Sequence, residues 1–122
     1  METNHAVIQE ADVKTILADS IPELHIAHAE ECTLCNVLER FADYTIELIK
    51  KGNLAIISDC FNAAGQLYEE GSIEVKNAIE NVYVFSITIF FDMAHAASKQ
   101  VKELLPACLK KEYHKQASCG HP

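Results

Sequence analysis

The residues best able to do chemistry crowd into one stretch, His25-Ile26-Ala27-His28-Ala29-Glu30-Glu31-Cys32-Thr33-Leu34-Cys35. It joins H-x-x-H to C-x-x-C, two imidazoles and two thiolates, a donor set that a tetrahedral zinc accepts. Residues three apart on a helix share a face, so each pair could hold the ion. Both pairs lie within 11 residues, whereas zinc sites usually draw their pairs from segments a dozen or more residues apart that fold back on each other. On one unbroken helix the pairs would stand roughly 10 Å apart along the axis, so the backbone would have to turn sharply between them without a glycine. The plainer reading packs Cys35 in the core, sets Cys32 at a helix junction and leaves His25 and His28 in solvent beside Glu30 and Glu31. Cys32 and Cys35 also have the spacing of a redox pair, whose first thiolate a helix start would stabilise. The βαβ surroundings expected of such a pair are missing.

Other constellations are thinner. Asp92 and His95 would share a helix face, but a di-iron bundle needs two Glu-x-x-His pairs and two further glutamates; capping and solvent exposure account better for both. Cys119-Gly120-His121 could add ligands in a dimer, although a flexible tail is the default. Glu39, Asp43 and Glu47 recur at i, i+4 and i+8. Paired carboxylates can do acid–base work, yet a charged row opposite an apolar stripe is ordinarily the solvated side of a helix. The chain has no phosphate-binding glycine loop, no G-x-S-x-G and no H-E-x-x-H. No catalytic residue and no cofactor is therefore expected, zinc at His25, His28, Cys32 and Cys35 being the alternative.

The elements that must position these residues read as helices. His5 to Asp19 forms a first helix, with Ala6, Val13, Ile16 and Leu17 on one side, and Ile21-Pro22 breaks it. Glu23 to Cys32 forms a short second one. Leu34, Val37, Leu38, Phe41, Thr45, Leu48 and Ile49 then follow the spacing of one buried helical face, opened by Thr33 as N-cap and closed by Lys50-Lys51-Gly52. Asn53 caps a stripe of Leu54, Ile57, Phe61, Ala64 and Tyr68 that Gly71 ends. Ser72 caps the next, with Glu74 in its first turn. The run Val82 to Phe91 is rich in β-branched and aromatic residues and, alone, resembles a strand. No second run exists to pair with it, and an isolated strand leaves its backbone groups unsatisfied. Val75, Ile79, Val82, Ser86, Ile89 and Phe90 also extend a helical stripe from Ser72, so the run is read as a central helix covered by its neighbours. Ala94, Ala97, Val101, Leu104, Leu105 and Cys108 form a last stripe, kinked or restarted at Pro106. The expectation is one all-α domain over residues 1–115, a compact bundle of four to six antiparallel helices around a buried central helix (72–91), with a flexible tail over 116–122.

The 122 residues suffice for about one domain. They are 49% apolar and 23% charged, which excludes wholesale disorder. Eighteen acidic residues face ten basic ones, a net charge of −8, which sets the chain against phosphate backbones and so against nucleic acid. Met1-Glu2-Thr3-Asn4-His5 lacks the basic start of a secretory leader, and the ten residues Val82 to Phe91 are too few to cross a bilayer. Five cysteines with no leader suit free thiols in a reducing cytoplasm.

At Ser72-Ile73-Glu74-Val75-Lys76-Asn77-Ala78-Ile79-Glu80-Asn81-Val82 the chain resembles small acidic all-helical bacterial proteins of uncharacterised function, in which E-V-x-N-x-I opens a helix that continues into large apolar residues. Ile21-Pro22-Glu23-Leu24 and Leu104-Leu105-Pro106-Ala107-Cys108-Leu109 extend the likeness over about residues 20–115. Some such families resemble immunity proteins, which block a partner toxin; the resemblance implies no catalytic residues. The functional expectation is a non-enzymatic module that binds a basic protein through carboxylates such as Glu39, Asp43, Glu47, Glu69 and Glu70. A further reading is an obligate homodimer, from the apolar run Tyr83 to Phe91.

Overall fold

The structure, a computed structural model, describes residues 7–22, 24, 33–93 and 98–119. Among the described residues there are six helices and no strand: α1 (Glu10–Ser20), α2 (Leu34–Lys51), α3 (Leu54–Glu70), α4 (residues 73–93), α5 (Ser98–Lys102) and α6 (Ala107–Cys119). The expected all-α architecture is what the chain adopts.

The starts of the long helices follow from their capping side chains. Thr33 Oγ1 accepts from Asn36 N at 3.2 Å, Asn53 Oδ1 from Ile56 N at 3.4 Å and Ser72 Oγ from Val75 N at 3.2 Å, each satisfying an amide that the helix itself cannot. Gly52 ends α2 at φ 75°, the left-handed conformation that glycine adopts without penalty. The two-residue link Gly52-Asn53 returns the chain, so α2 and α3 form an antiparallel hairpin. The stripe expected on α2 is buried at Val37, Leu38, Phe41, Thr45, Leu48 and Ile49, with Leu34 half-buried. On α3, Ile57, Phe61 and Ala64 are buried as expected while Leu54 is exposed.

One expectation at the N-terminus changes. The first helix begins at Glu10 rather than His5, because Ile8 is held in extended conformation against Gly71: Ile8 N donates to the Glu70 carbonyl at 2.9 Å and Ser72 N to the Ile8 carbonyl at 2.8 Å. A Cβ at Gly71 would collide with the Leu67 carbonyl oxygen and with Val75, so only glycine fits where α3 hands over to α4. Of the short helix expected over Glu23 to Cys32 only Leu24, at a bend, is described; the rest lies outside the described residues, as do residues 94–97.

The central helix is α4, and it is not a regular α-helix. Its middle, Ile79–Val84, is π-helical between the α-helical segments Ile73–Ala78 and Phe85–Met93. This segment packs against α2, α3 and α6 and carries Tyr83, whose ring stacks on Phe41 at 4.4 Å between centroids. The buried series on α4 is Val75, Ile79, Tyr83, Ile87 and Phe91, in place of the Val82, Ser86 and Ile89 that a uniform 3.6-residue period requires. A π turn takes in an extra residue, which shifts every later position by one. As a result Phe85 and Ile89 stand 52% and 44% exposed, so the helix is not covered all round. Pro106 starts α6 after the turn at 103–105, and α6 continues past residue 115 through Cys119.

Candidate functional site

Of the proposed zinc ligands, His25, His28 and Cys32 lie outside the described residues. Cys35 sits in the first turn of α2 and is exposed rather than packed in the core, because the buried stripe passes through Val37 and Leu38. Among the described residues no group of three or more histidine, cysteine or acidic side chains is placed to hold a metal. Side chains at Asp92 and His95 are likewise outside the description.

The carboxylates proposed for partner binding are all exposed. Glu39, Asp43 and Glu47 run along α2 on the side away from its buried stripe, and Glu47 has Lys50 at 3.5 Å. Glu69 and Glu70 close α3.

The residues most concentrated in space were, Glu69 apart, not foreseen as a site. Tyr68, Glu69, Lys76, Cys108, Lys111, Glu112 and Lys115 line an open cleft of about 820 Å³ between the end of α3, the first segment of α4 and α6. Gly65 lets this cleft form: a Cβ there would stand only 3.0 Å from Pro106 Cγ, so a bare backbone admits the start of α6 against α3. The Cys108 thiol then lies over the Gly65 carbonyl at 4.0 Å. The π segment is tied to two of the helices that form the cleft. Such a widened turn leaves a main-chain carbonyl without its regular donor, and Gln116 Nε2, from α6, donates to the Glu80 carbonyl at 2.9 Å and to Glu112 Oε2 at 2.8 Å. Tyr68 donates its hydroxyl to Glu80 Oε2 at 2.9 Å. Glu112, only 6% exposed, has Lys115 at 4.0 Å, and Lys76 Nζ stands 5.5 Å from the centre of the Tyr68 ring.

Two side chains of this cleft are held in their protonated forms. Burial, with Glu80 beside it, pushes the Tyr68 phenol up to about 12, and burial, with Glu69 beside it, raises the Cys108 thiol. Both keep their protons at neutral pH, so neither is a ready nucleophile or base. Burial also raises the phenol of Tyr83, whose hydroxyl lies 2.9 Å from Thr45 Oγ1. A second, smaller cleft of about 370 Å³ is lined by Lys102, Glu103, Lys110, Tyr113 and His114. The sequence does carry a signal for this basic side: residues 98–122 hold five lysines against two glutamates, whereas residues 1–97 hold sixteen acids against five cations. What it lacks is any mark that Lys76 and Tyr68, from two other helices, join Lys111 and Lys115.

No helix among the described residues is long and apolar enough to cross a membrane. No curated protein and no solved structure matches the chain. A family model does, over residues 14–119, and its family is described as a domain of unknown function (DUF7674). An uncharacterised family was the expectation from the E-V-x-N-x-I region, and the chain belongs to DUF7674.

Proposed function

We propose that this protein is a non-catalytic binding module of the bacterial cytoplasm that meets a basic protein partner through the acidic side of α2. The observation that carries this reading is the exposed row Glu39, Asp43 and Glu47, set at helical spacing opposite the buried stripe. Charges so placed steer an oppositely charged partner during diffusion and reject like-charged ones. Glu69 and Glu70 extend the negative field at the end of α3. The protonated states of Tyr68 and Cys108 agree with a role that needs no reactive group. An immunity-like role, in which the partner is a basic toxin blocked by this surface, is the concrete version that the sequence resemblance suggests.

The test is association with the product of the neighbouring gene, measured at ~50 and ~300 mM NaCl, with the triple substitution Glu39→Gln, Asp43→Asn, Glu47→Gln alongside. Steered binding should slow by about tenfold at the higher salt, chiefly in the on-rate, and the triple variant should show little further dependence on salt. An association indifferent both to salt and to these substitutions removes the acidic side of α2 from the function.

A further inference from the structure

The cleft between α3, α4 and α6 is electrostatically out of character with the rest of the molecule. The chain has a net charge of −8 and one arginine, yet three of its nine lysines, Lys76, Lys111 and Lys115, line this one space. Of the two carboxylates there, Glu112 is buried and engaged by Gln116 and Lys115. Glu69 lies beside the Cys108 thiol. Among the described residues neither Lys76 nor Lys111 has an ion-pair partner. Two ammonium groups are therefore left uncompensated over a wall made by the Tyr68 ring.

We propose that this cleft binds a phosphate-bearing small molecule, its phosphate held by Lys76 and Lys111 with help from Lys115, and its flat or apolar body laid against Tyr68. The volume of about 820 Å³ falls in the range of small-molecule sites. Lysines act as point charges that suit a doubly charged, tetrahedral phosphate, whereas a planar carboxylate is matched by the fork of an arginine, and no arginine lines this cleft. A large polyanion is disfavoured, since most of its length would meet the acidic remainder of the surface within a Debye length of about 8–10 Å. A small ligand meets only the local lysines. The aromatic wall adds contact that inorganic phosphate cannot use.

Calorimetric titration of the full chain with phenyl phosphate tests the assignment, with inorganic phosphate and phenylacetate as comparison ligands. Phenyl phosphate should bind at one equivalent and more tightly than either. Lys111→Ala, at an exposed position, and Lys76→Ala should each weaken it about tenfold. Lys110→Ala lies on the same helix but lines the other cleft, and should change the affinity by less than about twofold. Absence of binding, or equal losses for Lys110→Ala and Lys111→Ala, overturns the site. Equal affinity for phenylacetate or for inorganic phosphate overturns the ligand class.

Discussion

Thr45 shows how one hydroxyl can set the cost of disturbing the core. It donates to the Phe41 carbonyl at 2.9 Å, which leaves its oxygen to accept from Tyr83 at 2.9 Å, and both residues are at most 1% exposed. The two partners are therefore not equivalent. Tyr83→Phe removes one donor and leaves Thr45 still bonded to its own helix, a loss of about 1 kcal/mol. Thr45→Val keeps the shape but strands the Tyr83 hydroxyl away from water, which costs about 1–3 kcal/mol for the orphaned group. Thr45→Val should accordingly lower the urea midpoint more than Tyr83→Phe does, at unchanged m-value. The reverse order would mean that Tyr83 finds another acceptor. The sequence announced Thr45 only as a member of an otherwise apolar stripe; its partner 38 residues away was hidden by the π turn that rotates Tyr83 inward.

That turn is also where local periodicity stops predicting the element. On α2 the caps, the stripe and the closing glycine all agree, and the structure reproduces them, with Leu34 half-buried at the start of the stripe. On α4 the same logic works from Ser72 to Ile79 and then selects Val82, Ser86 and Ile89 where Tyr83, Ile87 and Phe91 are buried. Nothing in residue type marks the extra residue, because the large apolar side chains there satisfy either phase; tertiary packing decides. A deletion experiment separates the two helices. Removing exposed Asn81 from the π segment lets the turn close to a regular α-helix with Tyr83, Ile87 and Phe91 still facing inward. The expected cost is about 1 kcal/mol, for the bond that Gln116 makes to the Glu80 carbonyl. Removing exposed Asp43 from regular α2 instead rotates everything after it by about 100°, taking Thr45 and Leu48 out of the core. That loss should exceed about 4 kcal/mol and abolish cooperative unfolding. Thermal melts followed by circular dichroism at 222 nm compare the two directly; equal losses would show that the wide turn is itself required by the fold.

At the scale of the whole molecule, fold class was legible and the candidate cleft was not, for the same reason. Caps and stripes are local, so one helix suffices to read them. A cleft assembled from Tyr68, Lys76 and Lys111 depends on how α3, α4 and α6 cross, and that crossing is governed by contacts such as Gly65 against Pro106. Charge distribution lies between these cases, since it is visible in the sequence and acquires a direction only in the fold. Sixteen acids against five cations over residues 1–97 repel one another in the folded state. Among the described residues Glu47–Lys50 is exposed at 3.5 Å, and such a surface pair contributes at most about 1 kcal/mol. Screening should therefore help more than it harms. Raising NaCl from ~10 to ~150 mM contracts the Debye length from about 30 to 8 Å and should raise the midpoint of thermal unfolding by a few degrees, the equivalent of roughly 0.5–1 kcal/mol. The Glu39→Gln, Asp43→Asn, Glu47→Gln triple variant, with three fewer negative charges, should start from a higher midpoint at low salt and gain less. A midpoint that falls with salt in the parent protein would show instead that attraction between the acidic body and the lysines of α6 dominates its electrostatics.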